Sequence, residues 1–388
     1  MTDSTSVARS FFAVAFLFAV CGVGVALLPA VRKTVGTVGA WDVPAALRTK
    51  LPEQLPCKYW FVDLNGGASR MVGRRICNGR MLCNDGSLDE FSYEYGPVID
   101  RFVESTGALA DSIGRLGIPF LYVQAPCKQP LEGGLMPAGW PHSNPNDVAL
   151  RVEDELSARG VRTLDLIRVL ASSRDDTAAN FYRTDHHWRG RAAFKAAKLV
   201  ARELADILGD AALRSPPQLR IRNWESRVER GVFLGSHGRR TGRLFAGTDD
   251  FEYFVPRFKT NILRYMYGRL HASGEFEKSV LDMRFLSREL HERNAYGVYG
   301  NDRNEVVYVN KKAQSKKSVL FVKDSYANPL VDFLATVCSD VAKVDPRRCS
   351  SGEEIVRIVE KRRPDAVVML VHPIAMWNEK FVFPDLLP

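Results

Sequence analysis

Short apolar runs that adjoin helical patterns are the feature that most constrains the fold of this chain. The runs cover residues 118–124, 319–322 and 366–371, and helical periodicity marks 98–116 before the first run and 353–362 before the last. Strands that are buried on both faces of a sheet give such near-continuous apolar runs. The alternation of helices and strands therefore predicts an α/β fold with a parallel sheet covered by helices on both faces.

The chain is long enough to bury a large core, with 388 residues of which 46% are hydrophobic. Residues 35–90 are predicted to be a linker and N-terminal segment, and residues 91–388 one large domain. Residues from about 211 to 312 break the alternation and are rich in glycine, arginine and aromatic residues. We interpret them as an irregular insertion, which forms either a wall of a ligand cleft or a structural cap.

A cluster of polar and aromatic residues precedes the helical pattern that runs from Gly190 to about Leu208. It reads Tyr-Arg-Thr-Asp-His-His-Trp over residues 182–188, and loops at helix N-termini usually display functional groups. An aspartate two residues before a histidine can fold back and accept its Nδ1–H. Asp185 and His187 have this spacing, which would leave the His187 Nε2 atom free to act as a general base.

The best candidate nucleophile is Ser325, in the sequence Lys-Asp-Ser-Tyr-Ala-Asn-Pro over 323–329. An apolar run at 318–322 predicts a strand before it, and the residues from Pro329 onward predict a helix. The hydroxyl would then project from the C-terminal edge of the sheet, where open α/β folds bind their ligands. Backbone N–H groups at the start of the helix are expected to be available for an oxyanion.

These motifs resemble those of a known family. Asp-His-His-Trp at 185–188 resembles the signature of the DHHW proteins, which are similar to the alginate O-acetyltransferase-like branch of the SGNH hydrolases. Asp-Ser-Tyr at 324–326 resembles the later Asp-Ser-aromatic motif of that branch. Pro-Cys-Lys at 126–128 resembles its strand ending in Pro-Asp-Lys, with Cys127 in place of the aspartate. The resemblance covers most of residues 70–375.

The resemblance implies a Ser-His-Asp triad of Ser325 as nucleophile, His187 as base and Asp185 as the orienting acid. Further residues are expected near the site in supporting positions: His186, Trp188, Asp324, Tyr326, Arg183 and Lys128. No metal and no cofactor are implied. The implied activity is O-acetyl transfer to, or acetyl ester hydrolysis on, a cell-surface or exported polysaccharide through an acetyl-serine intermediate. A membrane-bound O-acyltransferase would be the implied partner that supplies acetyl groups.

Two other classes of function remain open. One is a glycan-binding or assembly protein that keeps the SGNH scaffold without catalysis. The other is a metal-dependent phosphoesterase of the DHH type, although such sites commonly use Asp-x-Asp and this chain has no such triplet. His237 and His372 are reserve candidates for the base, and neither has a carboxylate close to it in sequence.

The chain is basic, with 54 Lys+Arg against 45 Asp+Glu and a formal charge of +9. Its basic clusters are not interleaved with aromatic residues in any recognisable nucleic-acid-binding signature. We therefore expect no nucleic-acid partner and interpret most of the excess charge as solvated surface. Attraction to an anionic glycan or membrane is an alternative.

Residues 11–31 contain no charged residue and are long enough to cross a bilayer as a helix. Residues 1–34 are therefore predicted to be a single uncleaved membrane anchor. Arg32 and Lys33 follow the span, which by the positive-inside rule would keep the rest of the chain cytoplasmic. The family resemblance implies the extracytoplasmic side, which we favour. An even number of cysteines outside the span fits a disulfide-permissive compartment, with Cys77–Cys83 and Cys338–Cys349 among the pairings left open.

Overall fold

The computed structural model describes residues 58–90, 96–140, 142–300 and 305–387. The helices are α1 (Lys58–Met71), α2 (Pro97–Arg115), α3 (Pro145–Ala158), α4 (Ile167–Leu170), α5 (Arg174–Asn180), α6 (Gly190–Leu208), α7 (Ala211–Arg214), α8 (Ser236–Thr241), α9 (Arg243–Ala246), α10 (Phe276–Ser279), α11 (Ala327–Leu334) and α12 (Gly352–Arg362). The strands are β1 (Ile76–Cys77), β2 (Arg80–Leu82), β3 (Leu88–Glu90), β4 (Phe120–Gln124), β5 (Arg162–Asp165), β6 (Trp224–Phe233), β7 (Asp249–Pro256), β8 (Ile262–Met266), β9 (Arg269–Gly274), β10 (Val306–Asn310), β11 (Ser315–Lys323), β12 (Cys338–Val344) and β13 (Ala366–Val371).

The main sheet has the strand order β5-β4-β13-β11-β12-β10-β8-β9. The pairs from β5 to β12 are parallel, whereas β10, β8 and β9 extend the sheet in antiparallel fashion. The strands β1–β3 form a small antiparallel sheet, and β6 pairs with β7 as a separate antiparallel ribbon. The predicted α/β class with a mostly parallel sheet is confirmed.

Helices cover both faces of the parallel part, as the sequence predicts. On strand β11, Val319 and Phe321 belong to one buried cluster, which includes residues of α6 and α11. Leu320 and Val322 point to the other face and belong to a second cluster with α2, α3 and α12. Successive side chains on a strand point to opposite faces of the sheet. A strand that is buried on both faces therefore needs apolar residues at consecutive positions.

The carboxyl ends of the parallel strands bring three loops of separate sequence origin to one edge of the sheet. Lys128 follows β4, Ser325 follows β11, and His372 follows β13. Because β13 lies between β4 and β11, the segment after β13 emerges between the other two segments. This edge is where functional residues collect in open α/β folds.

Two parts of the sheet are not evident from the sequence. Strand β12 lies inside the sheet, but it reads Cys-Ser-Asp-Val-Ala-Lys-Val and lacks a continuous apolar run. The segment 211–312, interpreted as irregular, contributes β8, β9 and β10 to the main sheet. The burial of β10 alternates between buried and partly exposed residues. Antiparallel strands near a sheet edge often have this weaker pattern, which explains why they escape recognition.

The predicted anchor, residues 1–34, lies outside the described residues, as does most of the segment 35–90 up to residue 57. Among the helices that the structure does describe, none combines the length and apolar character needed to cross a bilayer. The five cysteines of the described ranges, at positions 77, 83, 127, 338 and 349, are free thiols. Cys77 and Cys83 pack into different apolar clusters, so that pairing is not formed.

Candidate active site

Asp185, His187 and Ser325 form a continuous chain of hydrogen bonds. The His187 Nδ1–H donates to Asp185 Oδ1 at 2.5 Å, and His187 Nε2 lies 2.8 Å from Ser325 Oγ. Asp185 Oδ1 also accepts the backbone N–H of His187 at 2.8 Å, which fixes the turn between them. With Nδ1 protonated, Nε2 is the acceptor for the serine hydroxyl proton. This is the geometry that a serine nucleophile and its base require.

The environment of Asp185 keeps its carboxyl group ionised. The side chain is fully buried, and burial alone would raise its pKa. His187 and His186, together with the Ser236 backbone N–H that donates to Oδ2 at 2.5 Å, more than offset burial and hold the pKa well below its usual range. An ionised carboxylate that accepts three hydrogen bonds can orient the imidazole and stabilise the imidazolium that forms when Ser325 loses its proton.

Trp188 and Tyr326 connect the loop that carries His187 to the turn that carries Ser325. The Trp188 Nε1–H donates to the backbone carbonyl of Tyr326 at 3.0 Å. In return, the Tyr326 hydroxyl donates to the backbone carbonyl of His186. Trp188 and Tyr326 are both fully buried. These reciprocal bonds attach the serine turn to the histidine loop, and so they position Ser325 against His187.

Residues of the segment 211–312 complete the surroundings of the triad, and the sequence gives little sign of their roles. The ring of Tyr296 stacks on His187 with centroids 3.9 Å apart and an angle of 20°. The Ser236 hydroxyl lies 2.6 Å from His186 Nδ1, and the Ser236 amide supports Asp185. Only the glycine-rich stretch around Gly235 stands out in the sequence, because glycines often mark close backbone approach.

Gly235 fits against Asp185 so closely that a side chain there would displace the carboxylate. An added Cβ would lie 2.3 Å from Asp185 Cβ and 2.6 Å from Oδ2. We therefore expect Gly235→Ala to destabilise the fold by about 1–3 kcal/mol and to lower ester turnover by about 10²-fold through misplacement of His187. Gly114→Ala is the matched control, since its Cβ would meet nothing within 4 Å. Thermal unfolding and ester hydrolysis measure both effects, and wild-type turnover in Gly235→Ala would contradict this role.

The expectation that N–H groups at the start of α11 are available for an oxyanion is wrong for most of them. The Tyr326 N–H donates to Asp324 Oδ1 at 2.9 Å. The Ala327 and Asn328 N–H groups donate to the carbonyls of Asp324 and Ser325. Asp324 thus closes the turn on itself in an Asx-type arrangement. Among the described residues, the Ser325 N–H has no such partner and so is left free to donate to an oxyanion.

A pocket of about 230 Å³ opens over Ser325. Its wall comes from several separate parts of the chain and includes these residues: Arg80, Glu90, His186, Ser236, His237, Arg240, Asp324, Ser325, Arg347, His372, Ile374, Ala375, Asn378 and Phe381. The side that includes Ser236, His237 and Arg240 belongs to helix α8, within the segment 211–312. Part of the predicted insertion therefore forms a wall of the cleft.

The two reserve histidines, His237 and His372, line this pocket, but neither is hydrogen-bonded to Ser325. The His372 Nδ1–H donates to Asp324 Oδ2 at 3.0 Å, so the fold supplies the carboxylate that the sequence does not place beside it. Arg80 Nε donates to His237 Nδ1 at 2.8 Å. Burial is the largest cause that lowers the pKa of His237 well below its usual value, which keeps this imidazole neutral.

The remaining predicted site residues, Lys128 and Arg183, lie outside the pocket and contact the backbone of neighbouring segments. The Lys128 ammonium is buried and donates to the carbonyls of Leu88 and Arg183. Arg183 directs its guanidinium to the Ala246 carbonyl and towards Asp249. Cys127 stands where the resembled family has an aspartate, and burial raises the pKa of its thiol far above the usual range. None of these three side chains lines the pocket over Ser325.

Asp185, His186 and His187 each offer one ligand atom within 4.8 Å of the others. This is the grouping that a DHH-type metal centre would use. However, Asp185 Oδ1 and His187 Nδ1 are already bonded to each other at 2.5 Å. A cation bound to these atoms would replace the hydrogen bond that orients His187, so the donor set fits a triad better than a metal site.

The described residues form an α/β fold with a mostly parallel sheet, and one part of the chain matches a known protein family. The family described as the SGNH hydrolase-like domain of acetyltransferase AlgX matches residues 99–243. This match contains Asp185 and His187 and ends before Ser325. It confirms the predicted resemblance to the alginate O-acetyltransferase-like branch. At the family level, it relates this part of the chain to acetyltransferases.

Two solved structures have a similar fold. A DHHW family protein from Eubacterium siraeum is 17% identical, with a TM-score of 0.58 over 79% of this chain and 95% of its own. PatB1 from Bacillus cereus is 16% identical, with a TM-score of 0.62 over 77% of this chain and 97% of its own. No curated protein sequence matches the chain.

Proposed function

We propose that the chain is an O-acetyltransferase or acetylesterase that acts through an acetyl-serine intermediate on Ser325. The observation that carries this proposal is the hydrogen-bonded chain from Asp185 Oδ1 through His187 to Ser325 Oγ, at 2.5 and 2.8 Å. The pocket above Ser325 gives an ester access to the hydroxyl. The family-level relation to acetyltransferases supports acetyl as the transferred group.

The reaction has two halves that use the same base. His187 Nε2 takes the Ser325 proton while Oγ attacks the acetyl carbonyl carbon, and His187 then returns that proton to the leaving oxygen of the donor. In the second half, a hydroxyl of the acceptor gives its proton to His187 and attacks the acetyl group, and the proton returns to Ser325 Oγ. The acceptor is a sugar in a transferase and water in an esterase.

We propose an exported or cell-surface polysaccharide as the acceptor. The pocket is lined by imidazole, guanidinium, hydroxyl and amide groups as well as apolar surface, a mixture suited to carbohydrate hydroxyls. A polymeric acceptor agrees with the placement that we favour: an N-terminal membrane anchor, with the described residues on the extracytoplasmic side. In that setting, a membrane-bound O-acyltransferase would supply the acetyl groups.

A sulfonyl fluoride tests the activation of Ser325 without assuming an acceptor. Such reagents react with serines whose hydroxyl is activated by a base. We expect one sulfonyl group per chain, located on Ser325 by peptide mass spectrometry, and loss of hydrolysis of a chromogenic acetyl ester in proportion to labelling. Exposed serines such as Ser157 on α3 serve as internal controls and should stay unlabelled. Label distributed over several serines, with ester hydrolysis unaffected, would contradict the proposal.

A further inference from the structure

Helix α1 turns its small residues towards the protein and its large apolar residues towards solvent. Gly66 and Ser69 are its buried residues. An added Cβ at Gly66 would lie 2.1 Å from the backbone carbonyl of Thr241, so a glycine allows α1 to pack this closely on helix α8. On the other face, the exposed fractions are 73% for Trp60 and 90% for Met71. A surface helix that packs only on its own protein usually turns its large apolar side chains to the core and its polar side chains to solvent.

The exposed face is continuous with neighbouring residues, and we refer to it as the α1 surface. It consists of the exposed side chains Trp60, Phe61, Leu64, Met71, Val72 and Leu244. Leu244, on α9, adjoins the helix, because its Cδ1 atom would lie 3.1 Å from a Cβ added at Gly67. Soluble surfaces carry such side chains singly, whereas a cluster of this kind marks an interaction site.

Basic residues lie at both ends of the α1 surface. Lys58 begins the helix, Arg70 lies in its last turn, and the exposed Arg74 and Arg75 follow immediately. Aromatic and aliphatic side chains between cationic ends are typical of helices that lie in the interface of a bilayer. Lysine and arginine near such a surface are attracted to anionic lipid headgroups.

A second copy of the chain fits this surface less well than a bilayer does. Because both ends of the helix are cationic, two such faces packed parallel or antiparallel would bring like charges together. The sequence also contains the uncharged, bilayer-length stretch 11–31 on the N-terminal side of α1. We propose that the α1 surface lies in the headgroup region of a bilayer that contains anionic lipids.

This placement would set the pocket close to the membrane. The buried face of α1 contacts helix α8 at Thr241. Helix α8 also carries His237 and Arg240, which line the pocket over Ser325. The inference does not depend on the chemistry of Ser325, so it stands or falls separately from the proposed function.

Trp60 is a built-in probe of the inference. The full-length chain would be placed in nanodiscs of phosphatidylcholine and phosphatidylglycerol, with and without brominated acyl chains, which quench nearby indoles. The Trp60 signal is the difference in emission between the wild type and Trp60→Phe. We expect a loss of the Trp60 emission in brominated nanodiscs, and a smaller loss when phosphatidylglycerol is omitted. Trp140, which is 39% exposed and lies outside the α1 surface, is the matched control, and the Trp140→Phe difference should show no loss.

Three results would overturn the inference. The first is an unquenched Trp60 in brominated nanodiscs. The second is a photo-cross-link from position 60 to the segment 1–50, which would show that this part of the chain covers the surface. The third is a dimer cross-linked through α1, which would assign the surface to a second copy. Ester hydrolysis by Trp60→Phe reports separately on the site of Ser325 and is expected to match the wild type.

Discussion

Replacing Ser325 with alanine is expected to lower kcat for acetyl ester hydrolysis by about 10⁶-fold, close to the background reaction. The reason is that the variant lacks the hydroxyl that would carry the acetyl group, Ser325 Oγ, which lies 2.8 Å from His187 Nε2. The measurement is initial-rate kinetics on a chromogenic acetyl ester, together with intact mass after rapid quenching, which should show acetylated wild type and no acetylated variant.

The Ser325→Ala protein should fold normally. The hydroxyl makes one side-chain hydrogen bond, and the turn around it is held by Asp324, Tyr326 and Trp188. Ser157→Ala, on the exposed face of α3, is the matched control and should retain full activity. A folded Ser325→Ala variant that still hydrolyses the ester at more than a hundredth of the wild-type rate would remove Ser325 from the mechanism.

The second large effect is expected for Asp185→Asn, which should lower kcat by about 10⁴-fold. An amide can keep the acceptor bond from the His187 backbone N–H, but it carries no charge to stabilise an imidazolium. It also permits the other tautomer of His187, in which Nε2 bears the proton and cannot accept one from Ser325. The fall should therefore appear mainly in kcat, with the binding of substrate little changed.

Asp175→Asn is the matched control for this substitution, because Asp175 is exposed on helix α5 in the same region of the sequence. Its activity should equal that of the wild type. Thermal unfolding separates a loss of catalysis from a loss of fold, since Asp185 also accepts the Ser236 N–H. If folded Asp185→Asn kept more than a tenth of the activity, then His187 would need some other orienting group.

The arrangement of Asp185, His187 and Ser325 can be predicted from two local sequence patterns and one rule of sheet topology. The Asp185–His187 spacing fixes one hydrogen bond within a turn. Ser325 follows a recognisable buried strand, and parallel strands place their carboxyl ends at one edge. The meeting of the two halves is therefore foreseeable, although 138 positions separate His187 from Ser325.

The supporting groups could not be foreseen because they depend on tertiary packing without a repeating pattern. Tyr296 lies in a short 3-10 helix (Ala295–Tyr299), and no spacing in the sequence relates it to His187. Ser236 acts on Asp185 through its backbone N–H, which any residue but proline provides. The loss of the Tyr326 N–H to the Asp324 side chain likewise depends on one rotamer in the turn. Strand β12 escaped recognition because polar residues interrupt it, even though it lies within the sheet.

The segment 211–312 contributes both to the wall of the pocket and to the contacts that hold Asp185 and His187. The Ser236 amide and the Tyr296 ring hold Asp185 and His187, while the neighbouring His237 and Arg240 face the incoming molecule. Under the proposed function, acceptor preference and proton-transfer efficiency would thus depend on the same segment. Grafting this segment between relatives to change the acceptor should then alter turnover as well, so the two properties would have to evolve together.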